Sequence, residues 1–243
     1  MDLESWAGRY RDPSLTPLEL RAIEWLDGFY ELEHLLCTRE WALRLRPHAS
    51  LELRLAALVH DCERHFPGGP PSTPRQFDDP AYLFAHSIRS AEFLGSWLDE
   101  HGEVDAQFRY RATSLVLRHE VGGGAEADVL QAADSLSFLE TLRWLTVEWV
   151  KTGRYGPEAA KAKHRWMLER IRPPEANVFA IPLYEQAIDD LDHADEADVE
   201  GMRKIVGDYR LLLGLSDDRG GAAGNGGARG AGDHRGGVIG AER

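Results

Sequence analysis

Cysteine is scarce in this sequence: 243 residues contain two, Cys37 and Cys62, in no paired metal-binding or redox spacing. That excludes a disulfide framework, suits a reducing cytosol, and leaves each thiol as a small core residue. Long apolar runs are missing as well. No window approaches eighteen uninterrupted apolar residues, and the opening MDLESWAGRYRD has neither a basic lead nor an apolar stretch. Neither a membrane span nor an export signal is expected, and the expected location is cytoplasmic. Basic charge is in deficit: 28 Lys and Arg face 41 Asp and Glu, for a formal net charge of -13. Such a chain repels phosphodiester polymers, so neither nucleic acid nor a membrane is an expected partner. Runs that alternate apolar and polar residues between turn signals are nearly absent, which argues against a sheet.

What the chain does have is enough apolar material for one substantial core, 43% of its residues with seven tryptophans, and a single domain is expected. From Thr16 to about Leu215 the apolar positions recur at three and four residues, which predicts an all-α fold. Helix starts are marked. Thr16-Pro17 with Glu19 supplies an N-cap, a proline at the first helical position and a capping-box acid. Ser50 and Asp79-Pro80 open later helices in similar ways. The pattern predicts helices near 16–29, 31–46, 50–64, 80–101, 105–120, 125–151, 157–171, 176–193 and 197–213. Between them, residues 65–78, HFPGGPPSTPRQFD, hold four prolines and two glycines, and a loop of that length is a candidate lid. The expected organisation is a lead over 1–15, an all-helical domain over 16–215 and a Gly-rich tail over 216–243. The tail holds ten glycines and only Val238 and Ile239 as large aliphatics, so it is expected to be disordered.

Chemistry enters through polar residues that lie on apolar stripes, because a buried polar group must be paired or must do something. His34 shares a helical face with Tyr30, Cys37, Trp41 and Leu45. His86 lies on the stripe of Leu83, Ser90, Leu94 and Trp97, and His119 continues that of Phe108, Ala112, Leu115 and Val116. Asp134 is one turn from both Leu130 and Phe138. The apolar run LAALV ends directly on His60 and Asp61. Any one of these reads as a hydrogen-bonded core group. Six of them, from five helices, read as a metal site built between facing helices of a bundle, with imidazole and carboxylate donors that suit manganese, iron, cobalt, nickel or zinc. The remaining histidines read as structural or exposed: His48, His101 and His193 near helix ends, His164 among lysines and arginines, His65 in the loop and His234 in the tail.

The order His34, then His60-Asp61, then Asp134 in an AADSL context, all in helices, resembles the HD-domain superfamily of metal-dependent phosphohydrolases. His86 in AHSIRSAEFLGSWL and His119 in VLRHEVGG extend the likeness to its dinuclear branch, which includes cyclic-dinucleotide phosphodiesterases, diadenosine tetraphosphate hydrolases and mixed-valent diiron oxygenases. The resemblance covers roughly residues 31–150, leaving helices over 157–213 outside it. No GYP element follows the His-Asp pair, and a single histidine stands at 119 where the cyclic-dinucleotide enzymes have two. The short gap from His119 to Asp134 is closer to the tetraphosphate hydrolases than to the oxygenases.

By position, the resemblance implies that His34, His60, Asp61 and Asp134 hold one divalent cation, and that His86 and His119 hold a second with Asp61 bridging. Two such ions about 3.5–4 Å apart hold a hydroxide nucleophile and neutralise a phosphoryl oxygen. The implied activity is hydrolysis of a small anionic phosphorylated substrate, a nucleotide or other phosphoester. Glu63 is the candidate for handling a proton or orienting water, and Glu120 is a candidate to orient an imidazole. Arg64, Arg118 and Lys163 are candidate cationic donors to substrate phosphate. Two other functions fit the same ligands: a diiron oxygenase, and a non-catalytic domain that a metal stabilises for signalling or binding.

Overall fold

The computed structural model describes residues 15–70, 77–101 and 103–206. Most of the expected lead, residues 71–76 of the loop, the expected helix beyond 206 and the Gly-rich tail lie outside them. Ten α-helices run through the described residues: α1 Pro17–Trp25, α2 Leu32–Leu45, α3 Leu51–Val59, α4 Pro80–His101, α5 Ala106–Arg118, α6 Ala125–Thr141, α7 Arg143–Lys151, α8 Pro157–Glu169, α9 Asn177–Asp192 and α10 Val199–Val206. Short 3₁₀ turns occupy Cys62–His65 and Pro174–Ala176, and no strand occurs among the described residues. The all-α expectation holds.

The starts that the sequence marks are made by the side chains it marks. Glu19 accepts the Thr16 N–H at 2.8 Å while the Thr16 hydroxyl accepts from the Glu19 N–H, a complete capping box. Ser50 caps α3 through the Leu53 N–H, Asp79 accepts from the Ala81 N–H, and Asp105 accepts from the Phe108 N–H. These contacts satisfy donors that the first helical turn leaves free.

Helix α6 is the axis of the domain. Every residue from Val129 to Thr141 is buried, and α2, α3, α5, α7, α8 and α9 all pack against it. Ala132, Ala133, Ser135 and Ser137 keep its girth small enough for that crowding. A helix that is buried on all sides has no solvated face for Asp134, so this acid is committed to the interior.

Two expected helices are broken. The segment expected as one helix over 50–64 leaves helical geometry at Asp61, with φ -102° and ψ 14°, and resumes as the 3₁₀ turn Cys62–His65. The turn swings Asp61 and Glu63 toward α4 rather than continuing the apolar stripe of α3. The segment expected over 125–151 bends at Leu142, with φ -104° and ψ 15°. That bend lets α7 bury Trp144, Leu145 and Val147 in a new direction, toward α9 and α10. Apolar periodicity counts residues per turn and does not register a one-residue change of direction.

Candidate metal centre

Five elements deliver the six polar residues to one place: α2 brings His34, the end of α3 brings His60 and Asp61, α4 brings His86, the end of α5 brings His119, and α6 brings Asp134. None is more than 5% exposed. Two groups form. The Nε2 atoms of His34 and His60 lie 3.2 and 3.5 Å from Oδ1 of Asp134. Oδ1 of Asp61 is approached by Nε2 of His86 at 2.8 Å, of His119 at 3.5 Å and of His60 at 3.9 Å. His60 stands between the two aspartates.

The outward nitrogens decide the tautomers of His34, His60 and His119. His60 Nδ1 donates to the Ala57 carbonyl at 3.1 Å and His119 Nδ1 to the Val116 carbonyl at 2.6 Å. A carbonyl only accepts, so both protons sit on Nδ1. The Ser137 hydroxyl donates to the His34 carbonyl at 2.7 Å and therefore accepts from His34 Nδ1 at 2.8 Å. Glu63 Oε1 accepts from His86 Nδ1 at 2.8 Å. His34, His60 and His119 thus turn an Nε2 lone pair inward, whereas His86 lies between two carboxylates, with Nε2 also 2.8 Å from Asp61 Oδ1, and against burial and Arg64 the acids Asp61 and Glu63 raise its imidazole to about 9. Among the described residues, Nε2 of His60 and of His119 has no hydrogen-bond partner although both rings are fully buried. Leaving buried acceptors unmatched costs about 1–3 kcal/mol each, and a cation is what lone pairs and carboxylate oxygens so arranged can take. The donors of His34, His60 and Asp134 lie within 4.8 Å of one another, as do those of Asp61, His86 and His119, and of His119, Glu120 and Asp134. These buried groups could hold a metal ion.

Each aspartate gives one oxygen to imidazoles and the other to an arginine. Arg64 Nη1 lies 2.9 Å from Asp61 Oδ2, and Arg170 pairs with Asp134 Oδ2 and with Glu120 Oε2. Burial alone would raise both aspartate carboxyls. Arg64, then His60 and His86, instead hold Asp61 well below the usual carboxylate range, and Arg170, then His60, do the same for Asp134. Both are anionic at neutral pH. Burial pushes the Lys163 ammonium down to about 8; its Nζ lies over the rings of Trp166 at 4.3 Å, Phe138 at 5.2 Å and Phe77 at 5.6 Å.

Several candidates have other positions than the sequence suggested. Arg118 does not face the site: its guanidinium satisfies the carbonyls of Gly122 and Gly123 in the turn that follows α5. That turn needs positive φ at both glycines, 64° and 92°, and leaves carbonyls within reach of the preceding helical turn, so Arg118 is withdrawn as a substrate donor. Glu63 is buried rather than solvated, with His86 on one oxygen and Arg89 Nε 3.3 Å from the other. A Cβ on Gly69 would stand 2.5 Å from Glu63 Oε2, so a side chain there would have to displace this acid from its present position. Arg64 and Lys163 both line the cavity over the centre.

Sequence reading missed Arg170, which shares the stripe of Ala160, Lys163 and Met167; an arginine at the end of a helix reads as solvated. It also missed Glu31, buried beside Arg64 at 3.4 Å; His164, read as structural or exposed, is fully buried with Nε2 2.9 Å from the Thr146 hydroxyl. The centre forms part of the wall of a cavity of about 1110 Å³ that extends past Lys163 to the turn after α7. Comparison of the chain with protein-family models, with curated proteins and with solved structures finds no match.

Proposed function

We propose that the chain is a metal-dependent phosphohydrolase of the HD type, acting on a small phosphorylated substrate with divalent cations at the histidine-aspartate centre. One observation carries the reading: four imidazoles, each with Nδ1 engaged, turn Nε2 toward two ionised aspartates at a cavity that also presents an ammonium. His34, His60 and Asp134 would hold one ion and Asp61, His86 and His119 another. Ligand type suits manganese, iron, cobalt, nickel or zinc. When bound, two such ions supply Lewis acidity and a reactive water at neutral pH.

The remaining work falls to the protein. Five acids, Glu31, Asp61, Glu63, Glu120 and Asp134, nearly balance four bases, Arg64, Arg89, Lys163 and Arg170, so divalent cations would make this pocket positive inside an acidic protein. An anionic substrate is favoured there over the surface. Arg64 is held by Asp61 and Glu31 and orients a fixed charge toward the cavity. Lys163 has no ion pair or hydrogen bond among the described residues, so its ammonium is free to bind a phosphoryl oxygen. Glu63 fixes the His86 ring, and Arg170 keeps Asp134 Oδ2 occupied so that Oδ1 alone faces the histidines.

Phosphate release from a panel of phosphoesters, with manganese, cobalt, nickel or iron supplied in turn, tests the proposal. Turnover that His60→Ala and Asp61→Ala abolish supports it. Two bound irons with oxygen uptake on substrate addition, and no phosphate release, would replace it with the oxygenase. Metal-dependent stability without turnover on any member would leave a binding domain.

A further inference from the structure

The cavity is much larger than a phosphate, and its other end has a distinct chemistry. We infer that Trp149, Tyr155 and Arg154 form a subsite for a planar heteroaromatic ring carried on the leaving group of the substrate. This inference rests on the phosphohydrolase reading for what lies at the metal end.

Trp149 and Tyr155 present neighbouring rings, centroids 4.8 Å apart and 33° from coplanar. The exposed Arg154 lays its guanidinium over both, 5.4 Å from Trp149 and 5.8 Å from Tyr155, and makes no ion pair among the described residues. All three line the cavity. Among the described residues the buried Trp149 indole N–H has no acceptor, and the carboxylate of Glu148, also in the lining, makes no ion pair or hydrogen bond. Flat faces, a delocalised cation, an unmatched donor and an unmatched acceptor together fit a ring with polar edges. An aliphatic group would leave the donor and acceptor unmatched. A surface stack that served only packing would have no use for them.

Helix α8 connects the two ends. Arg170, just past its C-terminus, grips Asp134, Lys163 lies midway, and Ala159 and Ala160 line the cavity beside Tyr155. Eleven residues of helical rise separate Ala159 from Arg170, about 16–17 Å. The favoured substrate is therefore elongated: a phosphoryl group at the histidines, further anionic charge near Lys163, and a ring at Trp149 and Tyr155. Cavities that bury a whole small ligand reach about 300–1,000 Å³, and this one, at about 1110 Å³, is large enough for such a molecule.

Calorimetric titration of the full chain under excess chelator, so that nothing is turned over, tests the subsite with two probes, ADP and inorganic pyrophosphate. ADP is expected to bind at least tenfold more tightly than pyrophosphate. Trp149→Leu and Arg154→Met are each expected to weaken ADP about fivefold or more, the scale of ring stacking on an aromatic side chain, and to leave pyrophosphate unchanged. Arg154 is exposed, so its variant folds even if the tryptophan variant does not. Equal binding of the two probes, or ADP binding that neither variant changes, would overturn the subsite. Loss of phosphate release on every ester with the ADP preference intact would instead overturn the hydrolase and keep the subsite.

Discussion

Nδ1 of His86 lies 2.8 Å from Oε1 of Glu63, so a carboxylate behind the ring fixes its orientation. Such partners typically change metal affinity 10–100-fold when removed. Glu63→Gln keeps a hydrogen-bonding carbonyl oxygen but loses the charge that makes the imidazole a better donor. Its metal affinity is expected to fall about tenfold and that of Glu63→Ala closer to a hundredfold, read by competition with a chromophoric chelator. Equal affinities in all three proteins would show that Glu63 does not support a ligand.

Arg170 neutralises two buried acids at once, Asp134 and Glu120. Arg170→Met leaves both desolvated without their shared guanidinium, which is expected to cost about 3–5 kcal/mol in the metal-free protein. Arg170→Lys can pair with one of them and should recover part of that loss. Urea unfolding of the three chelated proteins measures the series. A methionine variant as stable as the parent would mean that the pair contributes nothing net.

How much of this was legible differs from residue to residue. His34, His86, His119 and Asp134 could be read because each interrupts an apolar stripe of an otherwise regular helix, and the strength of that signal comes from the neighbours. The His60-Asp61 turn was read as helix because one bridge-region residue leaves the periodicity intact. Arg118 and Arg170 show the converse: both end helices and look alike in sequence. One satisfies a glycine turn and the other crosses to Asp134, a difference set by what packs opposite. The Trp149, Arg154 and Tyr155 cluster was illegible because only the Leu142 bend and the turn after α7 bring those residues over α8.

His164 gives a pH dependence of known sign. The Thr146 hydroxyl donates to the Arg143 carbonyl and accepts from His164 Nε2, so the buried Nδ1 is a lone pair with no partner among the described residues. Protonation there meets no acceptor. Burial, then Lys163 and Arg143, push the imidazole down to about 3. In the unfolded chain it titrates near its ordinary value of about 6.5. Between those values the unfolded state binds the extra proton, so the stability contributed by the neutral ring is complete above about pH 6.5 and is lost as pH falls, at about 1.4 kcal/mol per pH unit. From pH 6.5 to 4.5 the parent is expected to lose about 2–3 kcal/mol more than His164→Gln. Urea unfolding at the two pH values measures it, and parallel losses would refute the assignment.

Metal removal should act on the centre and leave the rest of the fold alone. A cation that binds only the native state stabilises it by about 4 kcal/mol at a thousand times its dissociation constant, so chelation is expected to lower the melting temperature of the parent protein. Asp134→Asn, which removes the charge shared by His34 and His60, should melt at nearly the same temperature with and without metal. The contrast is Glu19, fully buried, with Arg39 Nε 2.7 Å from one oxygen and Arg54 on the other. Glu19→Gln strands part of two cationic side chains between α1, α2 and α3, a loss of about 3–5 kcal/mol, yet it touches none of the metal donors. Its melting temperature should drop equally in the chelated and the metal-loaded protein, because the two sites share no partner. Manganese-dependent thermal melts of the three proteins separate the cases. A metal response retained in Asp134→Asn, or lost in Glu19→Gln, would place the cation somewhere other than between the histidines.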